Sequence, residues 1–168
     1  MTMWLAGKRA RVIGDAPAIA SALVAHGAQL VPEGDVDVLV HVAAPSLVKP
    51  AHELSHDEWR ATLDAGLDQR FHAARSLADA CRGRGIGGTV VFVGAPEQAL
   101  GSDHAAAAGA LGNLTKTLGV EWARDGIRVN TVLTRTHGET LGNLVAYLAS
   151  DYAAYVTGAI MGVGVDDL

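Results

Sequence analysis

The sequence has little of what marks secreted, membrane-spanning or nucleic-acid-binding proteins. Its one cysteine, Cys81, excludes an internal disulfide and indicates a reduced, cytoplasmic chain. The formal net charge of -5 provides no basic surface, so we expect no nucleic-acid partner. No apolar run is long enough to span a bilayer. The segment Trp4-Leu5-Ala6-Gly7 precedes Lys8 and Arg9, which is the wrong order for a secretory signal. We therefore expect one cytoplasmic domain, residues 1–168, away from the membrane.

What the sequence does contain is an alternation of short apolar runs with helical patterns, which favours an α/β fold built on a parallel sheet. The runs are rich in Val, Ile and Leu, as expected for strands buried on both faces. The predicted strands are Ala10–Ile13, Gln29–Val31, Val36–Val42, Thr89–Val93, Arg128–Leu133 and Ala159–Val163. The predicted helices are Ala16–His26, Asp57–Arg82, Asp103–Arg124 and Glu139–Ala149. Ser55 and Glu58 form a capping-box pattern before the second helix, and Gly83 is expected to end it.

One interval is too short for a crossover helix. Only Pro32-Glu33-Gly34-Asp35 separates Val31 from Val36, whereas parallel neighbours need a dozen or more connecting residues. We therefore expect Gln29–Val31 to be a short edge strand, from which the chain crosses beneath the sheet to Val36.

Several segments resemble, in the correct order, the short-chain dehydrogenase/reductase (SDR) family. They are Val36–Val40 with the following His41-Val42-Ala43-Ala44, Glu58–Arg75, Gly88–Val93, Leu114–Lys116, the pentapeptide Gly126-Ile127-Arg128-Val129-Asn130, and Tyr155–Gly158. The resemblance implies a Rossmann-like three-layer fold with a parallel sheet of about six strands. In this truncated member the usual third strand and its crossover helix are missing. The family's activity is NAD(P)-dependent oxidoreduction.

The residues that carry this chemistry in the family are replaced. The positions of the family's catalytic Asn, Ser, Tyr and Lys read Gly66, Ala95, His104 and Ala108. A tyrosine at its ordinary pKa of ~10 is a poor proton donor near neutrality without a nearby lysine. No Tyr-x-x-x-Lys pair exists, since the tyrosines are Tyr147, Tyr152 and Tyr155 and the lysines are Lys8, Lys49 and Lys116. The loop between Ala95 and His104 is also shorter than in the family. We expect no family catalysis from this chain alone.

The family's cofactor loop is equally degenerate. It aligns with Ile13–Ala20, where Gly14 remains but Ala18 and Ala20 replace the other two glycines that let a pyrophosphate approach the backbone. We expect Asp15 to cap the helix, with Pro17 in its first turn. Glu33, about 20 residues after Gly14, is either a ribose ligand or a solvated turn carboxylate, and we favour the second. The sequence therefore predicts no bound nicotinamide cofactor.

Two other site patterns have simpler explanations. His104 is a candidate acid or base, but we interpret Ser102 or Asp103 as a helix N-cap, and neighbouring residues do not face each other as triad members do. His52-Glu53-Leu54-Ser55-His56 matches a zinc-protease motif that requires one continuous helix. Ser55 opens a helix inside the motif, so we predict no metal site.

The segments closest to the family pattern are those by which its members pair: the two long helices and the last helix and strand. Apolar stripes run along the long helices, with interface candidates Leu63, Leu67, Phe71, Ala107, Leu111, Leu114 and Leu118. Our leading hypothesis is that the chain is a non-catalytic SDR-like pseudoenzyme. It would act as a structural or regulatory subunit of an active SDR oxidoreductase in a hetero-oligomer. A homo-oligomer is the other assembly that this hypothesis allows. The alternatives are an NAD(P)-dependent SDR oxidoreductase with a site rebuilt around His104, and a small-ligand binding module.

Overall fold

The computed structural model describes residues 3–44, 47–96 and 101–164 as a three-layer α/β fold. Its parallel sheet has six strands in the order β2-β1-β3-β4-β5-β6. The strands are β1 Arg9–Ile13, β2 Gln29–Leu30, β3 Val38–Val42, β4 Gly88–Gly94, β5 Ile127–Thr134 and β6 Ile160–Val163. The helices are α1 Pro17–Ala25, α2 His56–Leu63, α3 Gln69–Arg84, α4 Ser102–Glu121 and α5 Glu139–Ala149. The predicted fold class is confirmed, with each predicted strand present to within two residues at either end.

The short edge strand β2 explains how so brief a link reaches β3. Leu30 of β2 and Val38 of β3 both stand opposite Ala10, on either side of β1. The link therefore crosses the width of only two strand spacings, about 10 Å, at the amino end of the sheet. Its ends bond to β1, with the amide of Val31 donating to the Ala10 carbonyl at 2.9 Å and that of Asp37 to the Arg9 carbonyl at 2.8 Å. The predicted crossing is confirmed.

The two faces of the sheet are covered by different helix pairs. Along β4, Val91 and Val93 point to a cluster with α1 and α5, while Val90 and Phe92 point to one with α3 and α4. All four side chains are at most 1% exposed. Strands sandwiched in this way require continuous apolar runs, which is why the sequence shows them.

The predicted helix Asp57–Arg82 is interrupted in the structure. Between α2 and α3 lies a π-helical segment, Asp64–Asp68, in which each turn holds more residues than an α-helical turn. The predicted capping box at its start is confirmed, because Ser55 accepts from the Glu58 amide and Glu58 from the Ser55 amide. The predicted end at Gly83 is wrong: α3 continues to Arg84 and closes at Gly85, whose φ of 66° is left-handed.

The family-like pentapeptide holds the last third of the chain together. The guanidinium of Arg128 is buried and donates to the carbonyls of Leu148 at 2.6 Å, Ala153 at 3.0 Å and Ser150 at 3.0 Å. It also donates to the Thr89 hydroxyl at 2.8 Å. These bonds satisfy carbonyls where α5 ends, so the residues that stay closest to the family pattern have a structural role.

Asn130 extends this arrangement to the last strand. Its side-chain amide donates to the Val156 carbonyl at 3.0 Å and accepts from the Ala159 amide at 3.1 Å. Thr157 bridges further, donating to the Gly119 carbonyl at 3.2 Å. The segment before β6 is thereby fixed to both β5 and α4.

Cys81 is fully buried on α3, and burial raises the pKa of its thiol.

Within residues 3–44, 47–96 and 101–164, no helix combines the length and the apolar character needed to cross a membrane.

Candidate functional site: a cavity at the carboxyl edge of the sheet

A cavity of about 180 Å³ opens at the carboxyl ends of β3, β4 and β5, where open α/β sheets bind their ligands. All four positions that align with the family's catalytic residues, Gly66, Ala95, His104 and Ala108, line it. The remainder of its wall is mostly apolar: Val42, Ala43, Ala44, Val93, Gly94, Ala107, Leu111 and Leu133, with Arg70, Thr131, Thr134 and His137 as the polar members. The structure thus brings the replaced positions together and leaves a small, largely apolar chamber there.

At the asparagine position the chamber has closed around the missing side chain. An ideal Cβ on Gly66 would lie 2.8 Å from the Cβ of Ala107 on α4, closer than such atoms approach in real proteins. Gly66 sits within the π-helical segment between α2 and α3, beside Ala107 of α4. A single substitution by asparagine would therefore meet α4 before it restored any chemistry.

The tyrosine and lysine side chains of the described residues lie away from the cavity lining. Tyr147 and Tyr155 contact each other, with their hydroxyls 3.0 Å apart. The hydrogen bond to Tyr155 raises the pKa of Tyr147, the opposite of what a proton-donating tyrosine requires. Lys116 is exposed on α4. Residues 97–100 of the loop between Ala95 and His104 lie outside the described part of the chain.

His104 lies in contact with its neighbour Asp103. Its Nδ1 lies 3.2 Å from Oδ1 of Asp103, although not in the alignment of a hydrogen bond. The other carboxylate oxygen of Asp103 accepts from the Thr62 hydroxyl at 2.8 Å, which ties α2 to α4. Burial alone would raise the pKa of Asp103, but the hydrogen bond from Thr62 and the closeness of His104 outweigh it and lower the pKa.

One expectation at this helix start is wrong. The N-cap of α4 is Gly101, not Ser102 or Asp103, and no side chain caps it. Asp103 and His104 are in contact at the first turn of α4, but without the aligned hydrogen bond by which triad members face each other. A histidine and a carboxylate in contact can hold or pass a proton, provided that a reacting group is placed beside them.

Arg70 is a charged site residue that the sequence analysis missed. Its side chain lines the cavity and is 3% exposed. Its single hydrogen bond among the described residues runs from Nη2 to the Val93 carbonyl, at 3.3 Å, and its Nε is buried without a partner. Burial lowers the pKa of Arg70 to about 10, so the guanidinium is charged at neutral pH. The sequence contained one sign of its burial: Arg70 stands four and seven residues before Ala74 and Leu77, so on a helix it shares their buried face.

His41, on β3 close to Arg70, stays neutral. Burial first, and then the charge of Arg70, lower the pKa of His41 from 6.5 to about 4. Its Nδ1 has no hydrogen-bond partner among the described residues. The charge at this edge of the sheet therefore rests on Arg70.

The cofactor loop keeps its turn without keeping its anion site. Gly14 has φ of 99°, and a Cβ there would lie 2.7 Å from the Val42 carbonyl oxygen, so the fold itself demands glycine. The predicted Asp15 cap is wrong: Ala16 is the N-cap of α1, without a side-chain bond, and Asp15 is exposed beside it. Pro17, predicted to lie in the first turn, is the first residue of α1 and offers no N–H group.

The other residues of this loop do not suit a bound phosphate either. Ala18 and Ala20 add methyl groups where glycines would let a phosphate approach, and Glu33 is exposed on the link to β3. A pyrophosphate at a helix start needs free N–H groups and close backbone, and an adjacent carboxylate repels it. The residues present do not fit a dinucleotide.

The zinc-protease pattern is divided between two helices. His52 lies in a 3-10 turn, Ala51–Glu53, whereas His56 is the first residue of α2 after the Ser55 cap. In the described ranges no group of three or more His, Cys, Asp or Glu side chains is arranged to hold a metal ion.

The interface candidates divide by burial. Ala107, Leu111 and Leu118 are 2–4% exposed and face the core of this chain, so they are already covered and not available to a partner. Leu63, Leu67, Phe71 and Leu114 are partly exposed. Large apolar side chains outside these stripes are more open, with Val120 on α4 at 79% and Tyr155 before β6 at 80% exposure.

Known proteins share both the sequence pattern and the fold. The family model for short chain dehydrogenases matches residues 13–140. A tropinone reductase homolog of Arabidopsis thaliana is 26% identical, over 77% of this chain and 61% of its own length. Subunit BbsC of (2S)-[(R)-hydroxy(phenyl)methyl]succinyl-CoA dehydrogenase from Thauera aromatica is 34% identical, over 95% of this chain and 75% of its own. The chain spans about three fifths of the length of several curated relatives, 58% to 62%.

Solved structures agree on the architecture. A short-chain type dehydrogenase/reductase from Mycobacterium marinum superposes with a TM-score of 0.87 at 22% identity, covering 95% of this chain and 94% of the other. One from Serratia marcescens gives 0.83, also at 22% identity, covering 96% and 97%. The likeness at this identity concerns the fold, while the family match and the relatives concern descent. The chain belongs to the short-chain dehydrogenase family.

Proposed function

We propose that this chain is a non-catalytic member of its oxidoreductase family, which acts as a structural or regulatory subunit paired with an active short-chain dehydrogenase. The observation that carries the proposal is the cavity itself. Gly66, Ala95, His104 and Ala108 come together where the family performs its chemistry, and they supply neither a phenol nor an ammonium group. Hydride transfer needs a cofactor and a proton donor, and the loop at Gly14–Pro17 fits no dinucleotide.

The parts that stay close to the family pattern support a role in assembly. Arg128 and Asn130 hold the last helix and strand in place through bonds that have nothing to do with catalysis. Val120 and Tyr155 expose apolar surface on the helix and the terminal segment through which family members pair. One relative, BbsC, is named as a subunit of a dehydrogenase, and that name concerns BbsC.

The test is purification of the tagged protein from its native cell, followed by intact-complex mass spectrometry. We expect a stoichiometric complex with a second short-chain dehydrogenase, and we expect calorimetry to show no NAD(H) or NADP(H) binding to this chain alone. Val120→Asp should disrupt the complex, because it places a charge on an exposed apolar site of α4. Val24→Asp, at a 53% exposed valine on α1 on the other face of the sheet, is the matched control.

Two results would contradict the proposal. A chain that purifies only with copies of itself has no catalytic partner to serve. Tight binding of a nicotinamide dinucleotide by the isolated chain would show that the degenerate loop still works.

A second candidate function is an oxidoreductase with a rebuilt site, and the contact between Asp103 and His104 at the cavity favours it. In this case His104 serves as the acid or base and a partner completes the cofactor pocket. His104→Ala should then abolish turnover of an aldehyde, ketone or acyl-CoA thioester by the complex. Unchanged turnover would dismiss this candidate and leave the first.

A further inference from the structure

The two buried arginines of the fold differ in how their charge is compensated. Arg128 makes four hydrogen bonds that use both terminal nitrogens. Arg70 is buried to a greater degree, yet it makes one long bond. A guanidinium carries five N–H donors, and removing it from water is costly unless those donors are satisfied. Arg70 therefore lacks most of the partners that its burial requires.

No acidic side chain among the described residues supplies the missing charge. The ion pairs of residues 3–44, 47–96 and 101–164 involve other arginines, such as Arg75 with Asp79 on the same helix. The neighbouring His41 is neutral and carries no countercharge. Asp103, the buried carboxylate beside the cavity-lining His104, accepts from Thr62 and contacts His104.

The cavity lies where the unused donors of Arg70 are. Arg70 lines it, as does Gly94, whose ideal Cβ would lie 4.0 Å from Nη1 of Arg70. The rest of the lining is mostly apolar, with several alanines, Leu111 and Leu133, and its other polar members are His104, Thr131, Thr134 and His137. At about 180 Å³ the chamber is close in size to an engineered apolar cavity that accommodates benzene, roughly 150 Å³. The chamber thus combines one buried guanidinium with enough apolar wall for a hydrocarbon group of about four to six carbons.

We propose that this cavity binds a small monocarboxylate, whose carboxylate pairs with Arg70 and whose short apolar body fills the chamber between Ala107, Ala108 and Leu133. Arginine is the residue best shaped for carboxylate, because two of its N–H groups can meet both oxygens at once. This site is independent of the pairing proposed above, since its residues all belong to one chain. The same ligand would occupy it in the isolated protein and in a complex.

The probe is 3-methylbutanoate, titrated into the full-length protein by calorimetry, with 3-methylbutanamide as its neutral counterpart. We expect the carboxylate to bind at least about tenfold more tightly than the amide, because only the carboxylate compensates the guanidinium charge. Arg70→Met keeps the length of the side chain and should remove that preference. Arg75→Met, an exposed arginine on the same helix, is the control and should leave it unchanged.

Two further variants keep the proposal falsifiable if Arg70→Met fails to fold. Ala108→Leu should abolish binding of both compounds by filling the chamber while the charge stays in place. Glu97→Gln tests whether the chain's own carboxylate, two residues after Ala95, occupies the site. Binding that appears only in Glu97→Gln would overturn the proposal, as would equal affinity for acid and amide, or no binding of the acid up to about 10 mM.

Discussion

Gly66→Ala tests whether the catalytic asparagine position has been closed by packing. An alanine in place of glycine within a helix is favourable by about 1 kcal/mol, because glycine has more backbone freedom to lose. Here the added Cβ would lie 2.8 Å from that of Ala107, and inserting a methyl group into a packed site costs about 1–3 kcal/mol. The two effects oppose each other, so a control must separate them.

Gly83→Ala provides this control, because Gly83 lies in α3 with no atom within 4 Å of the ideal Cβ position. We expect it to stabilise the protein, and we expect Gly66→Ala to be less stable than Gly83→Ala by about 1–3 kcal/mol. For a urea m-value near 2 kcal/mol/M, this separates the unfolding midpoints by roughly 0.5–1.5 M, measurable by circular dichroism. Ala107→Gly alone should destabilise the protein by about 1 kcal/mol, because it places glycine inside α4, and it should cost less than this when added to Gly66→Ala.

The refuting result is simple. If Gly66→Ala and Gly83→Ala stabilise equally, α4 does not press on Gly66, and the asparagine could be restored without rearrangement. If Ala107→Gly has the same effect with and without Gly66→Ala, the two sites are not coupled.

Three other predictions follow from buried polar groups. Arg128→Met should lower the free energy of unfolding by about 3–4 kcal/mol, since it leaves three carbonyls near the end of α5 without a donor. In the same urea experiment, the control Arg124→Met, at an exposed arginine, should change this free energy by less than about 0.5 kcal/mol. For His41, whose pKa falls from 6.5 unfolded to about 4 folded, the unfolded state binds the extra proton, so stability should fall by up to about 3 kcal/mol as pH drops from 6.5 to 4. His41→Leu should flatten that dependence, and an unaltered slope in urea titrations across this range would contradict the assignment. Cys81, buried and with a raised pKa, should react with an aromatic disulfide reagent only on unfolding, so that its rate rises with urea in step with the loss of helix signal; fast reaction of the native protein would show an open α3.

The sheet could be predicted from the sequence, because a strand buried on both faces needs a continuous apolar run and such runs are visible in the sequence. Val90–Val93 had to be a strand, and four residues between Val31 and Val36 had to cross the sheet without a helix. The alignment with the family likewise placed Gly66, Ala95, His104 and Ala108, and the structure puts them around one cavity.

The interface stripe and Arg70 could not be obtained in this way. The stripe through Leu63, Leu67 and Phe71 assumes an unbroken 3.6-residue period, but the π-helical segment at Asp64–Asp68 rotates all later residues relative to earlier ones. After it, the buried face runs through Arg70, Ala74 and Leu77. The Asp103–His104 contact could not be predicted either, because the distance between the two side-chain ends depends on their rotamers and not on sequence spacing.

The link from Val31 to Asp37 has a consequence for engineering. Its middle, Pro32–Asp35, is exposed, and its two ends lie across a single strand at the amino end of the sheet. A strand-and-helix unit borrowed from a full-length relative could be inserted there without rethreading any other connection, because it would simply extend the open edge beyond β2. The chain is thus a host for measuring, by graft, how much stability an outermost Rossmann strand contributes.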